Sequence, residues 1–468
     1  MGARDTTSAR AAPLPPRSAP HWLPWLVALA GCALDIAAYW PGQMSFDSAY
    51  AWWQARGGET TSITPPLIVF VWRACAALLP GPGLVFALHL LMFWSGLALL
   101  ARASRLDTSR TLALMLLTAF APVPWLLRAH VWTDVGLFSA LAFAAGALAQ
   151  AGATRRRRWI LVALPALYYA TAIRFNAAPA VLPFALWAAC LACGTTDRIR
   201  VRWQRILATA AILWLVLIGA ALMVNAQVQR RVPLWPVTAT WDLAALSIAS
   251  QQMLLPAFMI GPGMDVPELA AASRDWSVTP LLRNTRHGIR DPFMGDWSAA
   301  ELSALRSAWF TAIRAHPAAW LAQVWRRTRA LLGTHHAAWP RELIYVDDEV
   351  RYRDNPPIPR NRSLLHRMLM RGAAALSATP LLAAWPYLLL GLLATPRAWR
   401  RWRAQADPLA LVLLASAALY VLPMPLLVPA ELRYVGWPCL ACLLAIAFVM
   451  FAPRRADKLA QASSQGFP

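Results

Sequence analysis

Asp47 lies in the polar stretch Pro41-Gly42-Gln43-Met44-Ser45-Phe46-Asp47-Ser48, directly after an apolar run at 22–40, and Thr64-Pro65-Pro66-Leu67 opens a second apolar run downstream. A carboxylate at a membrane–water boundary is either a solvated loop residue or the base of a membrane-embedded site. Glu59 follows in the same loop. Arg128, His130 and Asp134 flank the junction of two later apolar runs. Arg174 and Asn176 sit between two more, and Glu431, Arg433 and Tyr434 precede the last. These are the parts of a group transfer from a lipid phosphate. A carboxylate can take the proton of an acceptor hydroxyl, and arginines can hold a phosphate bidentately with permanent charge. A transporter or flippase for an anionic or lipid-linked substrate could use the same charges, but it would more often show broken mid-membrane helices and internal repeats.

The elements that must position these residues are membrane spans. Of the 468 residues, 59% are hydrophobic and 14% charged, against about 25% charged in soluble domains. Apolar runs near the ~20 residues needed to cross a bilayer fall at 22–40, 84–101, 109–127, 135–152, 159–173, 178–194, 206–224, 379–395, 408–426 and 434–452. The fold expected is an all-α polytopic membrane protein with about ten transmembrane helices. Residues 66–79 are apolar but short and stop at Pro80-Gly81-Pro82-Gly83, the pattern of a re-entrant or interfacial half-helix.

The net charge of +22 is explained by location. Arginines cluster at 102–110, 155–158, 198–205, 397–403 and 454–455, in short loops that all fall on one side of such a topology. The positive-inside rule makes that side cytoplasmic, with both termini, and leaves no need for a nucleic-acid partner. The expected organisation is a disordered tail over 1–20, an N-terminal transmembrane catalytic module over 21–224 with a first outside loop at 41–83, a long outside region over 225–378, further spans over 379–453, and a tail over 454–468. Within the long region Ala300–His316 and Pro317–Leu332 read as helices, with Pro317 in a first turn and Gly333 as a stop. Trp320, Val324 and Leu331 beside Arg326, Arg327 and Arg329 suit either a helix on the outer leaflet or one packed on its own domain.

The stretch Tyr39 to Ser48, then Gln54-Ala55-Arg56, then Thr64-Pro65-Pro66-Leu67 resembles the first outside loop of bacterial C-fold glycosyltransferases, the superfamily of protein O-mannosyltransferases and of the aminoarabinose transferase that modifies lipid A. Trp132-Thr133-Asp134, Arg174-Phe175-Asn176-Ala177 and Glu431-Leu432-Arg433-Tyr434 are similar to further motifs of uncharacterised bacterial members. The resemblance implies an acid in this loop as catalytic base, here Asp47. It also implies a polyprenyl-phosphate-linked sugar donor, an inverting transfer to a cell-envelope glycan, lipid or protein, and a site at the outer face of the inner membrane among membrane lipids. The related pattern usually has His before the paired prolines where this chain has Thr64, which bears on substrate choice and activity.

Each residue also has a plainer role open to it. Asp47-Ser48 and Asp134 suit helix starts. Glu59, after Gly57-Gly58, suits a solvated turn, and Arg174 and Arg433 can snorkel to headgroups. His335 and His336 are adjacent, and Asp347-Asp348-Glu349 reads as a solvated loop. The six cysteines, including the CxxC pairs Cys190/Cys193 and Cys439/Cys442, lie in apolar stretches without His or acid at zinc spacing and read as packing residues. The pattern calls for no cofactor, a divalent metal being the alternative.

Overall fold

The computed structural model describes residues 18–194, 199–293, 295–334, 352–358, 361–427 and 429–451. Expectations for 1–17, for 454–468, for His335 and His336, and for Asp347-Asp348-Glu349 fall outside them.

The described chain is helical, with isolated bridges in place of strands. The first half runs α1 (Leu23–Tyr39), α2 (Phe46–Ala55), α3 (Pro66–Leu78), α4 (Gly83–Ser104), α5 (Thr108–Ala119), α6 (Pro122–Arg128), α7 (Thr133–Thr154), α8 (Arg158–Ile173), α9 (Ala178–Cys193) and α10 (Ile199–Asn225). Then come α11 (Trp235–Ser250), α12 (Val266–Ala272), α13 (Thr279–Arg283), α14 (Ala299–Ala315), α15 (Pro317–Leu332), α16 (Leu364–Leu376), α17 (Trp385–Gln405), α18 (Leu409–Val421), α19 (Met424–Leu427) and α20 (Gly436–Phe451). Among the described residues five stretches are long and apolar enough to cross a membrane: Gly83–Ser104, Thr133–Thr154, Arg202–Asn225, Leu409–Leu427 and Leu432–Phe451. Shorter apolar helices stand at α1, α3, α8 and α9. The chain is a helical membrane protein.

α4 and α7 form the centre of the bundle, with α1, α8 and α20 against them. They approach closely because glycines face each other. A Cβ on Gly96 would lie 2.6 Å from the Phe143 backbone nitrogen, and one on Gly146 would lie 2.6 Å from the Gly96 carbonyl oxygen. Small residues at a membrane helix contact let backbones meet. Gly96→Ala is therefore expected to cost about 1–3 kcal/mol through overpacking, read as a lower thermal midpoint in detergent; an unchanged midpoint would contradict this packing.

The expected span at 109–127 is not one straight helix. α5 and α6 meet at 63°. Pro122 begins α6, and Ala121 before it is extended at ψ 139, as a residue preceding proline prefers. The break sets the direction of α6 and so of residues 129–132. The expected span at 379–395 is shifted. A 3-10 turn holds Pro380–Leu382, and α17 starts at Trp385 and carries Arg397, Arg400, Arg401 and Arg403 on its own last turns. Arg202 and Arg205 likewise ride on α10 instead of a loop.

The long region contains a second core, built by α11, α12, α13 and α14. α11 was not among the helices expected. Asp242 on α11 accepts from the indole nitrogens of Trp309 (3.0 Å) and Trp320 (3.1 Å) and pairs with Arg327. Arg327 therefore does not share the exposed face of Arg326 and Arg329. Arg327 and Leu331 are buried, whereas Leu321, Trp325 and Arg326 are exposed. The helix packs on its own module by one side and leaves an apolar and basic strip on the other. It starts at Pro317 and ends at Gly333, which adopts φ +73.

Candidate active site

α1 ends at Tyr39, and Gly42 turns the chain with φ +102, a conformation that favours glycine. The turn lays Gln43 along the segment after α6. Its N–H donates to the Ala129 carbonyl (2.8 Å), and its carbonyl accepts from the Val131 N–H (3.0 Å). Ser45 is the N-cap residue of α2, and its hydroxyl accepts from the Trp132 indole (2.7 Å). Ser48 donates to the Val131 carbonyl (2.7 Å). These bonds lock the start of α2 to the start of α7. From the other side Tyr352 packs edge-on against Phe46 and Tyr50, and Asn355 donates to the Ala49 carbonyl (2.7 Å).

On this frame Asp47 sits in the first turn of α2 and pairs with Arg433 Nη1. Arg433 belongs to the 3-10 turn Leu432–Val435 ahead of α20. Its Nε lies 2.5 Å from Glu431 Oε2, and its Nη2 donates to the Tyr434 hydroxyl (3.1 Å). Its guanidinium also lies 5.6 Å from the Trp132 ring centre and 4.9 Å from that of Tyr434. Beside it, Arg174 Nη2 lies 3.2 Å from Asp134 Oδ1, and Arg174 stacks on the other reach of Tyr434 at 5.1 Å. Asp47, Asp134, Arg174, Glu431, Arg433 and Tyr434 thus converge from four separated parts of the sequence.

The pairs differ in access. The Asp47 side chain is 56% exposed, while that of Arg433 is 9% exposed. Asp134 is 2% and Glu431 8% exposed. Burial raises the Glu431 carboxyl above the ordinary glutamate range, and the Arg433 guanidinium pulls the other way. Three carboxylates meet two guanidiniums, leaving one negative charge in excess. Both oxygens of Asp134, Nε of Arg174 and the hydroxyl of Tyr420 beside Arg174 have no hydrogen-bond partner among the described residues. Buried polar atoms without partners are uncommon, and several of them gather here.

Four of the expected residues stand apart from this group. Arg128 turns into the bundle, where Nε and Nη2 reach the two oxygens of Asp35 on α1 (2.7 and 3.1 Å) and Nη1 reaches the Ala119 carbonyl (2.7 Å). Its guanidinium lies among the rings of Phe93, Trp94 and Phe120. It is neither a snorkelling residue nor aimed at Arg433, because a buried partner one turn inside α1 takes it. Glu59 pairs with Arg230 (3.0 Å) at the seam where 59–62 is stitched to 229–232. His130 is buried and stacks on Trp132 at 4.0 Å, supporting the wall behind Arg433. Asn176 donates toward the Met424 sulfur (3.4 Å) and anchors the α8–α9 turn to α19. Asp35 and Tyr420, both inside apolar runs, were not among the expected residues. Asp35 carried a signal, an ionisable residue within a span. Tyr420 carried none.

Among the described residues no group of three His, Cys, Asp or Glu side chains converges in a metal-holding arrangement. No protein-family model and no curated protein matches this sequence.

Proposed function

We propose that this chain is an integral membrane glycosyltransferase of the C-fold kind, moving a sugar from a polyprenyl-phosphate-linked donor to a cell-envelope acceptor at the outer face of the bacterial inner membrane. One observation carries the reading: a solvent-reached carboxylate, Asp47, lies on a buried guanidinium, Arg433, with a second arginine–carboxylate pair, Arg174 and Asp134, beside it. Arg155 caps the end of α7 opposite Asp134, and Arg158 opens α8, whose other end is capped by Arg174. By the positive-inside rule those ends are cytoplasmic, so Asp47 faces out. The five long spans and the bent α5–α6 pair give up to six crossings among the described residues, and the reading takes α1, α8, α9 and α17 as further crossings, about ten in all, with α3 as the half-helix.

In this reading Asp47 takes the proton of an acceptor hydroxyl as that oxygen attacks the anomeric carbon. The bond from the anomeric carbon to the phosphate oxygen breaks, and its electron pair leaves with the polyprenyl phosphate. Charge grows on that phosphate in the transition state, where Arg433 and Arg174 stand to stabilise it.

Reconstitution in liposomes with a panel of polyprenyl-phosphate sugars and envelope acceptors tests the function. Glycosylated acceptor and polyprenyl phosphate are expected in equal amounts. Movement of intact lipid-linked sugar between leaflets with no glycosylated product would overturn the reading in favour of a flippase. Deeper in the bundle, Asp35 and Arg128 are buried and paired with each other, and buried His89 shares one hydrogen bond with half-buried Tyr169.

A further inference from the structure

We propose that Asp47 occupies the place of a substrate phosphate on Arg433, so that a phosphate ester binds this site by displacing the carboxylate. The inference deepens the transfer reading and rests on it only for the phosphate's origin as a lipid leaving group.

All three nitrogens of the Arg433 guanidinium are engaged: Nε with Glu431, Nη2 with Tyr434 and Nη1 with Asp47. The cation is therefore already surrounded, and an incoming anion competes with one of these partners for it. Access decides which. Glu431 and Asp134 are more than nine-tenths buried, and moving either would strand a charge away from water. The Asp47 side chain is already more than half exposed, so its release is the cheaper one.

Charge counting points the same way. The group already holds one negative charge in excess, and a phosphate arriving with every carboxylate in place would concentrate still more negative charge on two guanidiniums. Exchange of Asp47 for the phosphate relieves that. The displaced carboxylate is not left without favourable surroundings, because Asp47 sits in the first turn of the ten-residue helix α2, where the free N–H groups favour negative charge. Displacement has a chemical consequence. Asp47 is masked as a base while it pairs with Arg433 and becomes a free carboxylate beside the donor once the phosphate is seated.

The experiment is a binding titration of the full-length protein in detergent with inorganic phosphate and, separately, farnesyl phosphate. Calorimetry would compare the parent, Asp47→Asn, Asp47→Ser and Arg433→Gln. Removing the internal competitor is expected to tighten binding about three- to tenfold in both Asp47 variants, and Arg433→Gln to weaken it at least about tenfold. Tightening for both ligands assigns the site to phosphate itself. Tightening for farnesyl phosphate alone assigns it to a lipid phosphate. Unchanged or weaker binding of both ligands in the Asp47 variants overturns the proposal. Tightened binding in a protein that transfers no sugar would remove the transfer reading and leave this one standing.

Discussion

Asp35→Ala is expected to destabilise the protein by about 3–5 kcal/mol, the cost of leaving a buried charge without its partner. Asp35 Oδ2 accepts from Arg128 Nε and from the Trp94 indole, each at 2.7 Å, and Oδ1 accepts from Arg128 Nη2. Alanine would leave the guanidinium with one carbonyl, that of Ala119, and three aromatic faces. Those faces attract a cation but do not replace a carboxylate in a site where Arg128 is 1% exposed. The double variant Asp35→Ala/Arg128→Met should recover most of the loss, because it removes both charges and keeps the volume. Thermal unfolding in detergent reads both. A single variant as stable as the parent, or a double variant no better than the single, would contradict this role.

Arg433→Gln is expected to lower sugar transfer by about 10²–10³-fold, the usual cost of removing one donor that stabilises developing transition-state charge. The loss has two sources. The phosphate loses its closest cation, and Glu431 loses the guanidinium at 2.5 Å that offsets its burial. Burial already raises the Glu431 carboxyl, and without Arg433 it would rise further and take up a proton at higher pH. Glutamine is shorter but keeps the aliphatic stem and a polar amide, so the defect should appear in turnover with the thermal midpoint shifted far less than in Asp35→Ala. Transfer within a few-fold of the parent would mean that Arg433 serves packing.

Charge bias made part of this site readable. Arg174 and Arg433, expected on the face opposite the arginine clusters, run against the positive-inside rule, and they do meet Asp47, Asp134 and Glu431. The same reasoning misplaced Arg128 because its partner is 93 residues away on another helix. A side of the membrane can be read from loop charges, but the direction of a side chain at that side cannot. Asp35 was visible as an acid in an apolar run, yet only the α1–α4 packing that brings Trp94 to it shows what it holds. Glu59 was separated from the site by backbone pairing between 59–62 and 229–232, and no side-chain pattern announces such pairing. α11 had a legible start in Trp235-Pro236, with proline in the first turn. The helix was lost inside a region treated as a long loop. Thr64 is buried ahead of α3, where the related pattern usually has His, so the side chain at that position is enclosed.

The most direct test of the central claim is the initial rate of sugar transfer by Asp47→Asn, with a polyprenyl-phosphate sugar donor saturating both it and the parent. Asparagine preserves size and one hydrogen-bond acceptor but cannot take a proton. A rate about 10²–10⁴-fold below the parent, the usual share of a general base, is the predicted result. Transfer by Asp47→Asn as fast as by the parent would contradict it and remove Asp47 from the chemistry.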